Sequence, residues 1–361
     1  MIWPNWLPLR KDLQELTPYG APQVHAEAAM NTNENPYPPS PTLQAAIVQS
    51  VAEIAVTLNR YPDREAIKLR EALAVYISQT SHINCRAENV WAANGSNEII
   101  QSLFLAFFGR SAMGFIPSYS MHALIAKVVG TKWIDGERNA DLTFNVDIAI
   151  SDVSKYKPAL TFITTPNNPT GDAISFKDIS RLAEAVGAEG GLLIVDEAYA
   201  EFSPEKSATT LVRDNPHVVV IRTMSKAFAF AGARLGYLIA DAAVVDAMKL
   251  VRLPYHLSAI TQATALVALD HRAELLGNVT KLINARTALV TELGALGLTC
   301  LPSAANFILF SGFDRPAPRL WSQLLERGVL IRDVGLSSHL RVTVGNEAEN
   351  KAFIAALTQL L

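Results

Sequence analysis

The chain reads as an α/β protein, an open sheet with helices on both faces followed by a smaller α+β unit. Three observations predict it. Short apolar runs at 112–116, 159–165, 191–195, 217–222 and 235–240 are bounded by turn residues or lead into helical patterns, as strands joined by crossover helices require. Beyond about residue 250 the pattern changes to long helical stretches alternating with single short strands. Half of the 361 residues are hydrophobic and only 18% are charged, enough apolar surface for a large buried core and too much for extensive disorder.

In chain order, residues 1–40 form a proline-punctuated arm with no sustained period. Helical periodicity follows at 41–56 and 64–80, and the polar turn Asn94-Gly95-Ser96-Asn97-Glu98 opens an apolar helix that runs to Phe108. The five apolar runs then supply the sheet. Past residue 250 come a long helix near 272–297, a strand at Phe307–Phe310, a helix near 317–327, strands at Gly328–Arg332 and Leu340–Val344, and a last helix to Leu361. No fixed-period repeat or low-complexity tract is present, which sets aside solenoids and linkers.

Several classes are excluded at this level. The net charge of −3 and the lack of a dense Lys/Arg block give no electrostatic footprint for nucleic acid. Cys85 and Cys300 stand alone, without the spacing of a zinc site or a disulfide framework, which fits a reducing compartment and no metal. No basic segment precedes an apolar run at the start, and no stretch of about 18 uninterrupted apolar residues occurs. The expectation is a soluble, cytoplasmic protein with no membrane partner.

The chemistry gathers where strands end. Thr223-Met224-Ser225-Lys226 follows the run 217–222, and Arg234 lies eight positions beyond the lysine. An amine presented from a mostly uncharged stretch loses hydration, which lowers its pKa and lets it condense with an aldehyde, while hydroxyls and a guanidinium can hold a phosphate. Lys226 is therefore a candidate Schiff-base lysine for pyridoxal 5′-phosphate; from this segment alone a surface lysine after a strand reads the same. Asp196 closes an apolar strand, where a carboxylate needs a partner to stay ionised, and a protonated pyridine nitrogen is such a partner. Tyr199, three residues on, is spaced to donate a hydrogen bond to the ring's 3′-oxygen; a strand end, a helix cap and a packed tyrosine are the competing account.

Thr164-Thr165-Pro166-Asn167-Asn168-Pro169-Thr170-Gly171 also follows a strand, and its prolines and glycine fix a backbone path that aims the Asn168 amide at the same oxygen, unless it is a plain Asn-Pro turn. Gly95-Ser96-Asn97 at a helix start offers free N–H groups and a hydroxyl to a phosphate, although Ser96 or Asn97 capping the helix would use the same groups. Tyr119, just after another strand, is a ring that can stack on the pyridine or simply pack.

In this order, Gly95-Ser96-Asn97, Tyr119, Asn168, Asp196 and Tyr199, Lys226 and Arg234, the segments resemble the fold-type I pyridoxal-phosphate aminotransferases. Within their class-II group the chain is similar over essentially its whole length to the histidinol-phosphate aminotransferase family, the actinobacterial form in particular. Tyr19-Gly20-Ala21-Pro22, Asn31 to Pro38, Leu58-Asn59-Arg60-Tyr61-Pro62, Leu253-Pro254-Tyr255-His256 and Gly328 to Asp333 carry that similarity.

The resemblance implies a large domain over 41–250 with a mostly parallel seven-stranded sheet, a small α+β domain over 251–361, and an arm over 1–40 packed on the small domain and a partner subunit. It implies that Lys226 bonds the cofactor and shuttles a proton between Cα and C4′, with Asp196, Tyr199 and Asn168 serving the ring and Tyr119 stacking on it. Gly95, Ser96, Asn97, Thr223, Ser225 and Arg234 would surround the phosphate, and Tyr61 would reach the phosphate of the neighbouring subunit, making a homodimer with shared sites. Arg341 would take the glutamate carboxylate and, with Arg332, the substrate phosphate, a dual use that suits a guanidinium fork, although each arginine can also be a salt-bridging strand residue. Tyr19, Tyr119 and Tyr255 would enclose the imidazole, with Asn33 and Asn168 among the substrate contacts. His122 and His256 depart from the family pattern, which often has tyrosine and commonly asparagine at these positions.

The implied reaction is reversible transamination of imidazole acetol phosphate by glutamate, giving histidinol phosphate and 2-oxoglutarate in histidine biosynthesis. Its rivals are an aromatic amino-acid aminotransferase acting on phenylpyruvate and a pyridoxal-phosphate lyase that would release carbon dioxide. A transcription regulator on this fold needs a DNA-binding module, for which the roughly 40 residues ahead of the first helical pattern are too few.

Overall fold

The structure, a computed structural model, describes residues 3–18 and 20–361. Its thirteen strands are β1 (Ala28–Ala29), β2 (Val90–Ala93), β3 (Ala112–Ile116), β4 (Trp133–Glu137), β5 (Leu160–Thr164), β6 (Leu192–Asp196), β7 (Val218–Thr223), β8 (Gly236–Ile239), β9 (Thr299–Cys300), β10 (Phe307–Ser311), β11 (Val329–Leu330), β12 (Arg332–Asp333) and β13 (Leu340–Thr343). Seven of them make one sheet in the order β2-β8-β7-β6-β5-β3-β4, in which only β8 runs antiparallel to its neighbours. The mostly parallel seven-stranded sheet is as expected.

Strand composition follows from burial on both faces. Leu193, Val195, Val218 and Val220 point into one apolar core, and Ile194, Val219 and Ile221 into the other. Such strands read as unbroken apolar runs because each successive side chain meets a helix layer. Helices Pro41–Ala55, Ile67–Ser81, Val146–Tyr156 and Phe176–Ala188 cover the first face, and Ser96–Ala106, Met121–Val129 and Ala242–Val251 the second. Two edge strands were not foreseen. β4, Trp133-Ile134-Asp135-Gly136-Glu137, is half exposed and mixes polar with apolar residues, and β2 has only four residues before a polar turn.

The smaller unit is an antiparallel sheet, β12-β13-β10-β9, covered by helices Ala317–Glu326 and Glu347–Thr358 and by the far end of helix Arg272–Ala295. That long helix crosses between the two cores: Leu275, Val279 and Leu282 sit in the large one, Leu289 and Leu293 in the small one. Helix Ala259–Asp270, ahead of it, buries Ala265, Ala268 and Leu269 in the large core. By core membership the large unit thus runs past residue 250, because a change of sequence pattern does not report which core a helix faces. The arm joins the small unit by parallel pairing of β1 with β11, and Ala28 and Met30 are buried there.

Beneath the sheet's carboxyl edge lies a buried ion cluster. Arg222 on β7 donates from Nε to Glu197 Oε2 at 2.9 Å and from Nη1 to Glu201 Oε1 at 2.9 Å, all three side chains being under a tenth exposed. It ties β7 to the segment following β6. Removing one member would leave a buried charge unpaired, so Arg222→Ala is expected to cost about 3–5 kcal/mol, read as a lower urea midpoint in equilibrium unfolding.

Candidate active site

The strands β3, β5, β6 and β7 are parallel, so their carboxyl ends open on one edge of the sheet, where ligands of α/β folds bind. Each delivers a side chain there. Tyr119 follows β3, Asn168 follows β5, Asp196 is the last residue of β6, and Thr223, Ser225 and Lys226 sit at and after the end of β7. With Ser96, Asn97, Tyr199 and Arg234 they line one cavity of about 310 Å³.

Lys226 extends its amine to the arm, donating from Nζ to the carbonyl of Thr32 at 2.8 Å. Burial is the main reason its pKa falls from 10.5 to about 8; the guanidinium of Arg341 pushes the same way, and the Glu34 carboxylate opposes it. A lysine so placed carries a substantial neutral fraction near neutrality, as a nucleophilic amine requires. The surface-lysine account does not hold.

Asp196 is almost wholly buried, with Oδ1 accepting from the Ala198 amide at 3.1 Å and Oδ2 3.2 Å from His122 Nε2. His122 in turn packs edge-on to Tyr119 and against Phe162. The histidine that departs from the family pattern therefore braces the aspartate. Tyr199 is held from behind: its hydroxyl accepts from Asn33 Nδ2 at 2.9 Å, and its ring meets Phe307 edge-on. Asn33 is itself locked, its amide donating to Thr343 Oγ1 and its carbonyl accepting from Asn306 Nδ2. It stands behind the cavity wall rather than on it.

The helix Ser96–Ala106 starts with no side-chain cap, because its N-cap is Gly95. Capping by Ser96 or Asn97 is thereby overturned, and the first-turn amides stay available to an anion. Gly95 is required here twice over. Its φ of +81° is left-handed, and a Cβ would stand 2.8 Å from Arg234 Nη2. A Cβ on Gly236 would meet the Gly95 carbonyl carbon and the Ser96 nitrogen at 2.5 Å. Across the cup, Ser225 N donates to Thr223 Oγ1 at 3.2 Å, and Tyr119 donates its hydroxyl to Asn97 Oδ1 at 3.2 Å.

Arg341 reaches over from the small unit, donating from Nη1 to Asn168 Oδ1 at 2.5 Å and from Nη2 to the Asn31 carbonyl at 2.6 Å, above the Phe307 ring. With Asn168 Oδ1 so engaged, its amide nitrogen is the group left to donate. Arg332 lies directly across from Arg341 in the β12–β13 register, and the two line an adjoining hollow of about 160 Å³ that shares Tyr119 and Asn168 with the main cavity. Among the described residues Arg332 makes no ion pair, so the salt-bridging account fails for it.

A sequence profile of the aminotransferase class I and II family matches residues 28–357. The chain belongs to that family. Among curated relatives this aminotransferase is 51% identical over 357 residues to a histidinol-phosphate aminotransferase of Mycolicibacterium smegmatis, covering 98% of this chain and 93% of the relative. It is also 51% identical over 359 residues to one of Corynebacterium glutamicum, covering 98% and 97%. The solved histidinol-phosphate aminotransferase of Sinorhizobium meliloti, in complex with pyridoxal-5′-phosphate, superimposes with a TM-score of 0.85 at 24% identity over 98% of this chain and 97% of that one, a likeness of fold.

Two expected positions stay apart from the cavity. Tyr61 is 79% exposed and stacks on Tyr255 with ring centroids 4.3 Å apart, and neither lines it. Tyr19 lies outside the described residues. Thr32 and Glu34 were not singled out, although their segment was: a backbone carbonyl carries no sequence signal, and a glutamate in an irregular arm has no motif. Filling the Gly95 position is the sharpest local test. Gly95→Ala is expected to raise the dissociation constant for a pyridoxal-phosphate cofactor by about tenfold or more, since strain at positive φ and displacement of Arg234 add, read by fluorescence titration of cofactor-free protein.

Proposed function

We propose that this aminotransferase carries out the reversible transfer of an amino group from glutamate to imidazole acetol phosphate, giving histidinol phosphate and 2-oxoglutarate, with pyridoxal 5′-phosphate as cofactor and histidine biosynthesis in the cytoplasm as the setting. The observation that carries the reading is the meeting of Lys226, Asp196 and the Gly95–Arg234 cup in one cavity, with Arg332 and Arg341 at its border, in a chain half identical to curated enzymes of that name over nearly its full length.

The cavity fits the cofactor group by group. The uncapped helix start, the Thr223 and Ser225 hydroxyls and Arg234 form a cradle that a Cβ at Gly95 would invade, and they would hold the phosphate. Asp196, buried and braced by His122, would keep a pyridine nitrogen protonated. Tyr119 would stack on the ring face, with Tyr199 and the Asn168 amide at its oxygen. When bound, the cofactor supplies an electron sink that stabilises negative charge on the substrate Cα.

The remaining work falls to this chain's residues. Lys226, partly neutral near neutrality, would hold the cofactor covalently, and its amine would serve as the base for the substrate Cα proton. The Thr32 carbonyl 2.8 Å from Nζ holds the displaced amine within reach. Arg341 offers a fork that fits the glutamate carboxylate or two phosphate oxygens, and Arg332 beside it adds the second charge that a phosphate dianion favours. The exposed Tyr61–Tyr255 stack, flanked by exposed Leu58 and Leu253, supports a homodimer in which Tyr61 completes the neighbouring phosphate cup.

Two outcomes test the reading. Steady-state kinetics should favour imidazole acetol phosphate over phenylpyruvate; the reverse preference would make the enzyme an aromatic amino-acid aminotransferase. Cofactor-free protein should take up pyridoxal phosphate faster as pH rises through about 8 and level off above it, because the reacting amine has a pKa lowered to about 8 rather than 10.5. Lys226→Ala should lose both the absorbance band of the bound cofactor and turnover.

A further inference from the structure

We infer that Glu34, a carboxylate carried by the N-terminal arm, recognises the imidazole end of the substrate and so selects it against aromatic rings without N–H donors. The inference rests on the reaction proposed above and deepens it.

Two carboxylates line the main cavity, Asp196 and Glu34. Asp196 is consumed: it is buried, held by His122 and the Ala198 amide, and would be taken up by the ring nitrogen of the cofactor. Glu34 is not. It is exposed, makes no ion pair among the described residues, and accepts one hydrogen bond, from Thr32 Oγ1 to Oε2 at 2.9 Å. That bond orients the carboxyl group and leaves Oε1 with no donor among the described residues. Asn33, the residue between Thr32 and Glu34, is locked to Thr343, Asn306 and Tyr199, so the backbone that carries Glu34 is fixed.

The geometry of the substrate then leaves one role. Its amino-bearing carbon must reach Lys226, whose amine rests on the Thr32 carbonyl, two residues from Glu34. Its phosphate belongs with the guanidiniums of Arg332 and Arg341, in the hollow that borders the cavity at Tyr119 and Asn168. The third limb of the molecule is the imidazole, which presents N–H donors whether neutral or cationic. The one cavity carboxylate among the described residues that no cofactor group claims is on the arm, and a charge-assisted hydrogen bond there rewards an imidazole, whereas a phenyl ring offers it no donor.

The other role open to Glu34 is to raise the pKa of Lys226 against burial, which would act on every substrate alike. Steady-state kinetics of the holoenzyme with histidinol phosphate and with its analogue bearing phenyl in place of imidazole, both against 2-oxoglutarate, separate the two. In the wild-type enzyme kcat/KM should favour the imidazole compound, and in Glu34→Gln that ratio should fall by about tenfold, mostly through KM for histidinol phosphate. An unchanged ratio overturns the inference, including the case where both substrates slow together and the pH midpoint of the bound-cofactor absorbance shifts, which would assign Glu34 to Lys226. If the wild-type enzyme turned over the phenyl analogue as well as histidinol phosphate, the carboxylate would have no selective role. Absence of wild-type turnover with histidinol phosphate would instead sink the proposed reaction, and this inference with it.

Discussion

An amine has to be both partly neutral and anchored inside a cavity built to hold anions, and the rest of the molecule is arranged around that demand. Desolvation lowers the Lys226 pKa to about 8, and the guanidinium of Arg341 adds to the lowering. A lysine among guanidiniums would become a poor proton acceptor if nothing offset them, and the arm supplies the offset with the Glu34 carboxylate, while the Thr32 carbonyl anchors the amine. The arm is thus part of the site's electrostatics as well as its wall.

Holding the arm in place is the task of the small unit. Pairing of β1 with β11 and the buried contacts of Asn33 with Thr343 and Asn306 fix the segment that carries Thr32 and Glu34. The same strand, β13, projects Arg341 toward Asn168 and Asn31. The small unit therefore positions both the Arg341 guanidinium and the arm groups beside the lysine. Any relative movement of the two units would alter both together, because the fork belongs to one unit and the lysine to the other.

The large sheet supplies rigidity of another kind. Strands buried on both faces give the loops at their carboxyl ends little freedom, and the Glu197–Arg222–Glu201 cluster ties the segment after Asp196 to the strand that leads to Lys226. At the far side of the cavity, close approach of Gly236 to Gly95 and Ser96 sets the phosphate cup against β8. That contact works only because Gly236 has no side chain, since a Cβ there would stand 2.5 Å from the Gly95 carbonyl carbon and the Ser96 nitrogen.

Much of this was legible in the amino-acid order. Apolar runs marked the five inner strands because burial on both faces leaves no polar positions; Lys226, Asp196 and Asn168 stood at the ends of such runs and the Gly95 turn at a helix start. The edge strands β2 and β4 were not marked, since a short or half-exposed strand has too few apolar residues to show a period. Composition and motif determined the fold class and the cofactor and nominated residues for its site, because those depend on residue type and local order. Only the tertiary structure decided that His122 braces Asp196, that Thr32 holds Lys226 and that Arg341 grips Asn168. These contacts join residues 74 to 194 positions apart, and packing, which no local pattern encodes, brings them within hydrogen-bond reach.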